Sequence, residues 1–199
     1  MSQRVKNEDG GRLWPWVVAA FVLAAALSTG AYLFFKDSSG QKRQVAAAFQ
    51  PVTSFTGPRV ARSLYFPAAD GKYLRAERRD VRDSADKAQQ VRAVVEELVR
   101  GPLSEGLTPS FPAASRVKSV FISPDGTAYI NFSREIQHEF PGGAWTETLT
   151  IYSLTNTLAE AFPDIRQVQI MVEGTAIDTL AGHIDTTRPF RPRPALNKE

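Results

Sequence analysis

The chain contains no cysteine. That excludes disulfides, thiolate metal sites and a cysteine nucleophile, while leaving the compartment open. Histidine is nearly absent too: there are only two, His138 and His183. They lie far apart and form no recognisable metal-ligand spacing. His138-Glu139 lacks the second histidine, one turn further on, that a zinc-protease helix requires. No Gly-x-Ser-x-Gly elbow, phosphate loop or dinucleotide fingerprint occurs. Glu96 and Glu97 are adjacent, so on a helix they point about 100° apart and do not clasp one proton or metal. Asp80, Asp83 and Asp86 recur at every third position without the glycine and terminal glutamate of a calcium loop. A hydrolase of unfamiliar type would need a cluster such as His183, Asp185 and Glu173. The expectation is no catalytic residue, no metal ligand and no cofactor.

Basic charge is also scarce where a nucleic-acid binder would need it. The formal charge is +3 and the pI about 9.3. Residues 37–187 nevertheless carry 16 Lys and Arg against 18 Asp and Glu, so the excess sits at the two ends. A duplex-binding surface needs clustered cations on the folded part, and nucleic acid is not an expected partner.

One long apolar run is present. Leu13 to Phe35 carries no charge over 23 residues. As a helix it spans about 34 Å at ~1.5 Å per residue, enough for a bilayer core of roughly 30 Å. Trp14 and Trp16 flank one end; Tyr32, Phe34 and Phe35 flank the other, as boundary rings do. A cleaved signal peptide has a shorter apolar core. The basic residues flanking the run are balanced, so the positive-inside rule alone does not orient it. A short N-terminal segment usually stays in the cytoplasm. The expected organisation is a cytoplasmic stretch 1–12, a transmembrane helix 13–35, a linker 36–61, a folded domain 62–190 and a flexible basic tail 191–199. This predicts a single-pass membrane protein with its C-terminal domain outside the cytoplasm.

The folded part alternates strand and helix patterns. Ser63–Phe66 and Tyr73–Val81 read as a hairpin around Asp70-Gly71. A helix capped by Ser84 buries Val91, Val94, Val95, Leu98 and Val99 and stops at Gly101-Pro102. Arg116–Ser123 and Thr127–Ser133 form a second hairpin around Pro124-Asp125-Gly126. A helix from about Thr146 to Phe162 turns Ile151, Leu154, Leu158 and Ala161 inward. Gln167–Glu173 is a strand, and Thr179–Asp185 a short edge segment. The order β-β-α-β-β-α-β predicts an α+β two-layer sandwich, two helices on one face of a mixed sheet.

Several stretches together resemble one family. They are Leu64-Tyr65-Phe66-Pro67 with Gly71-Lys72-Tyr73-Leu74, the helix Val94 to Pro102, the strand Gly126 to Ser133, and Tyr152 to Leu158. Val168 to Gly174 and Gly182-His183-Ile184-Asp185 complete the set. Their order is similar to that of the GerM-type domain (GerMN, or Germane) of sporulation and spore-germination proteins, over residues 62–190. The resemblance implies an exported or membrane-tethered module without known catalysis, some relatives of which build rings. The expected role is an envelope scaffold or protein-interaction module, bound to the bilayer through 13–35 and to another envelope protein or itself. The alternative is a small-ligand or cell-wall glycan-binding module, with peptidoglycan as partner. Tyr65, Tyr73, Tyr129 and Trp145 would stack on sugars if they gathered on one face. Asn156, set mid-helix between Thr155 and Thr157, either bonds neighbouring backbone or touches a ligand. Asn156, Tyr129, Trp145 and His183 are the candidate contacts.

Overall fold

The computed structural model describes residues 58–198. The expected membrane span 13–35 and most of the linker lie outside them. Among the described residues no helix is long and apolar enough to cross a membrane.

The first hairpin joins β1 (Arg59–Pro67) to β2 (Leu74–Arg82) in antiparallel register, with Tyr65 opposite Ala76. Strand β1 thus begins at Arg59, within the expected linker 36–61. Leu64 and Phe66 of β1 enter the core. The inner positions of β2 are less regular: Val81 is apolar, but Glu77 and Arg79 are also buried. Arg79 bonds Glu77, Glu97 and the Gly101 carbonyl, so its charge goes in already paired. Burial pushes the Glu77 carboxyl up, but the Ser104 and Leu103 N–H groups and the Arg79 guanidinium outweigh it. The carboxyl stays below its ordinary value.

Helix α1 (Lys87–Arg100) buries Val91, Val94, Val95 and Leu98 on one stripe. Each such side chain contributes roughly 1.5–3 kcal/mol on leaving water. Asp86, not Ser84, caps it, its carboxylate accepting from Ala88 and Gln89 N–H. The chain then crosses to a second hairpin, β3 (Val117–Ile122) and β4 (Thr127–Phe132), paired with a bulge between Val117 and Ser119. Gly126 in its turn has φ +87°, and a Cβ there would lie 2.6 Å from the Asp164 carbonyl oxygen. Only glycine fits that approach.

A one-turn helix α2 (Glu135–His138) precedes α3 (Ala144–Ala161). Strand β5 (Gln167–Val172) then pairs parallel with β4, and β6 (Thr175–Ala176) antiparallel with β5. A short 3-10 turn (Pro194–Leu196) leads into β7 (Asn197–Lys198), parallel to β2. The α+β class matches the sequence reading and the seven expected elements occur in their expected order, with α2, β6 and β7 added, but the strands do not form one mixed sheet. They divide into β1-β2-β7 and β3-β4-β5-β6. The free edge of β2 takes β7, and Arg92 of α1 donates to the Val117 and Lys118 carbonyls of β3. Both sheets and both long helices contribute to one core. Thr179–Asp185 is an irregular loop, not an edge strand.

The expected flexible tail 191–199 is also corrected. Phe190 exchanges backbone hydrogen bonds with Val168, and residues 193–198 dock on α3 and β2. The prolines forbid a long strand there, but short anchored pieces suffice to hold the segment.

Candidate functional site

Helix α3 carries the densest set of buried polar groups. Two of them close the free edge of β1: Thr157 Oγ1 accepts from Tyr65 N–H at 2.9 Å, and Ser153 Oγ donates to the Tyr65 carbonyl at 2.6 Å. A sheet edge thus gains its partners from side chains. Thr150 reaches the Ser110 carbonyl at 2.8 Å, and Thr155 bonds back to Ile151 within its own helix.

Tyr152, Asn156 and Glu160 repeat every fourth residue and so share one face. The C-terminal segment lies along it. Phe190 meets the Tyr152 ring edge-on at 6.2 Å. Asn156 Nδ2 donates to the Arg193 carbonyl at 3.0 Å and to Asn197 Oδ1 at 2.7 Å, while Asn156 Oδ1 accepts from Arg193 N–H at 2.8 Å. Every hydrogen-bonding atom of this amide is occupied by the tail. Glu160 bonds the Tyr65 hydroxyl. Burial, then the hydrogen bond and charge of Glu160, push that phenol up to about 12.

Glu147, in the first turns of α3, is fully buried, and sequence reasoning missed it. Its carboxylate accepts from Leu180 N–H at 2.9 Å, Ala181 N–H at 3.1 Å and His183 N–H at 3.1 Å. His183 Nδ1 stands 3.4 Å from the same carboxylate. A glutamate in the first turns of a helix ordinarily faces solvent. The signal would have been the stretch Leu180–His183, whose backbone donors need an acceptor.

The remaining candidates are surface residues. Trp145 is 48% exposed and donates from Nε1 to the Gly71 carbonyl at 2.5 Å. Tyr129 of β4 sits opposite Phe121 of β3, on the sheet face turned away from the core. Their ring centroids are 5.9 Å apart, and Phe121 is 61% exposed. Ser119 and Asn131 share that face, joined by a hydrogen bond of 3.2 Å.

Asn156, Tyr129, Trp145 and His183 therefore each have different neighbours and make no common site. The rings of Tyr65, Tyr73, Tyr129 and Trp145 contact Glu160, Lys198, Phe121 and Gly71 respectively. Glu173 pairs with Lys118, Asp185 bonds Thr187, and His183 faces Glu147, so the hydrolase cluster does not assemble. Thr187 holds the Asp185 carboxyl below its ordinary value, and Lys118 does the same for Glu173. Among the described residues no group of three His, Asp or Glu side chains is placed to hold a metal ion.

These features define a small α+β module, held together by buried polar staples, with an aromatic pair on an open sheet face. The family model for Germane, sporulation and spore germination, matches residues 63–178, and the chain belongs to that family. The first GerMN domain of the sporulation protein GerM from Bacillus subtilis is 26% identical, with a TM-score of 0.56 over 67% of this chain and 98% of that one. The tandem GerMN domains of the same protein are 25% identical, with a TM-score of 0.57 over 69% of this chain. The match spans 47% of that tandem chain, about one of its domains. No curated protein matches.

Proposed function

We propose that the protein is a membrane-tethered interaction module of the bacterial envelope, displayed outside the cytoplasm and without catalytic activity. Its partner, another envelope protein or a second copy, docks on the open face of the second sheet. The observation that carries this reading is the Phe121–Tyr129 pair. A large ring 61% exposed on a strand, backed by a second ring, is an anchor of the kind that dominates protein interfaces. Family membership supports the same reading, since a sporulation protein is among the structural relatives. The uncharged run 13–35 supports tethering. The buried polar residues Glu147, Thr150, Ser153, Asn156 and Thr157 of α3 support the absence of catalysis, because each already bonds a neighbouring strand, loop or tail.

The test is co-purification from detergent-solubilised membranes of the native host. Full-length protein is expected to retain a stoichiometric partner or a second copy, and Phe121→Glu to lose it. Equal recovery by both proteins would overturn the docking face; monomeric wild-type protein without a partner would overturn the function.

A further inference from the structure

The least explained feature of the molecule lies between α1 and the segment entering β3. There, Arg92, Arg100 and Arg116 line a groove of about 550 Å³, within the roughly 300–1,000 Å³ usual for small-ligand sites. Val99, Ala113 and Val117 supply its apolar wall. Glu96 and Ser115 complete the lining; Ser115 is wholly buried, and its Oγ has no hydrogen-bond partner. Unpartnered buried hydroxyls are rare, because an unmet donor or acceptor is costly.

The guanidinium groups are fixed in place without being used up. Arg92 donates from Nε to Glu96 and from its two terminal nitrogens to Lys118 and Val117 carbonyls. Arg116 donates from Nη1 alone, to the Ala113 and Ser115 carbonyls. Arg100 bonds Glu97 through Nη1. Each guanidinium has five N–H donors, so several remain on all three. Charge narrows the ligand further. Arg92, Arg100 and Arg116 against Glu96 and Glu97 leave one positive charge, enough for a single carboxylate. A phosphate dianion or a polyanionic surface would meet too little charge.

We propose that this groove binds the free carboxylate at the end of a peptide bearing small apolar side chains. Arg100 and Arg116 hold the carboxylate with their spare donors, since a planar fork matches it bidentately. Val99, Ala113 and Val117 receive the terminal methyl groups. Ser115 Oγ, able to donate and accept, bonds the terminal amide. The site shares no residue with Phe121 and Tyr129, so it stands or falls independently of the docking face.

The experiment is calorimetric titration of the full-length protein in nanodiscs with N-acetyl-Ala-Ala and with its C-terminal amide. The acid is expected to bind, and the amide roughly tenfold more weakly or worse. Arg100→Ala and Arg116→Ala are each expected to weaken the acid by a similar factor. Ser115→Ala is expected to weaken it several-fold while leaving Tm unchanged or higher, which a structural role for the hydroxyl does not produce. Equal binding of acid and amide, binding of neither, tighter binding of inorganic phosphate, or unaltered affinity in the arginine variants would overturn the proposal.

Discussion

Asn156 shows how a single amide governs a distant part of the chain. Its three hydrogen bonds all go to residues 193–197, and nothing else in the helix replaces them. Asn156→Ala leaves the Arg193 N–H without a partner and takes one of two hydrogen bonds from its carbonyl, which Leu196 N–H also meets, a loss of about 1–3 kcal/mol. Denaturant unfolding is expected to show that loss, and limited digestion with chymotrypsin faster cleavage after Phe190. A variant with unchanged midpoint and cleavage rate would contradict the assignment. Tyr65 gives a second check. Its phenol titrates near 12 in the folded protein and near 10 when unfolded. A raised pKa favours the folded state below pH 10, and this stability is lost as pH rises from 10 through 12. Absorbance titration at 295 nm should show a late tyrosinate step that Tyr65→Phe removes; its persistence in the variant would contradict the Tyr65–Glu160 pairing.

Elements whose burial follows a simple period were legible from sequence, and those held by polar side chains were not. The valine–leucine stripe of α1 and the alternation of Ala128, Ile130 and Phe132 in β4 predicted both elements and their buried faces. The second helix was placed correctly, but its apolar stripe concealed a polar function. Thr150, Ser153, Asn156 and Thr157 serve an edge strand, a loop and a tail that only the fold brings near. The tail looked mobile because proline and arginine dominate it, and its anchors, Phe190 and Asn197, are isolated residues without periodicity. The division into two sheets was equally hidden, because strand patterning sets which face is buried but not which strand is the neighbour. Turn chemistry, in contrast, was plain: Pro124-Asp125-Gly126 announces the second hairpin. Gly126→Ala must both strain a left-handed backbone and push a methyl against the Asp164 carbonyl 2.6 Å away. A destabilisation of about 1–3 kcal/mol is expected from these two effects. Thermal unfolding measures it, and a Tm equal to wild type would contradict the close approach.

At the scale of the whole molecule, fold and function separate. The polar groups that invited a chemical reading hold the helices, loops and tail together, whereas the aromatic pair on the open sheet holds nothing essential. Replacing Phe121 should therefore cost little stability: the ring pair is worth about 0.5–1.5 kcal/mol. Leu103, 77% exposed in the loop after α1, provides an equally accessible site elsewhere for comparison. The most direct measurement places a photo-cross-linking amino acid at Phe121 or at Leu103 of the full-length protein and irradiates intact membranes. The account predicts a discrete adduct from position 121 and none from position 103. Adducts from both positions alike, or from 103 alone, would contradict it.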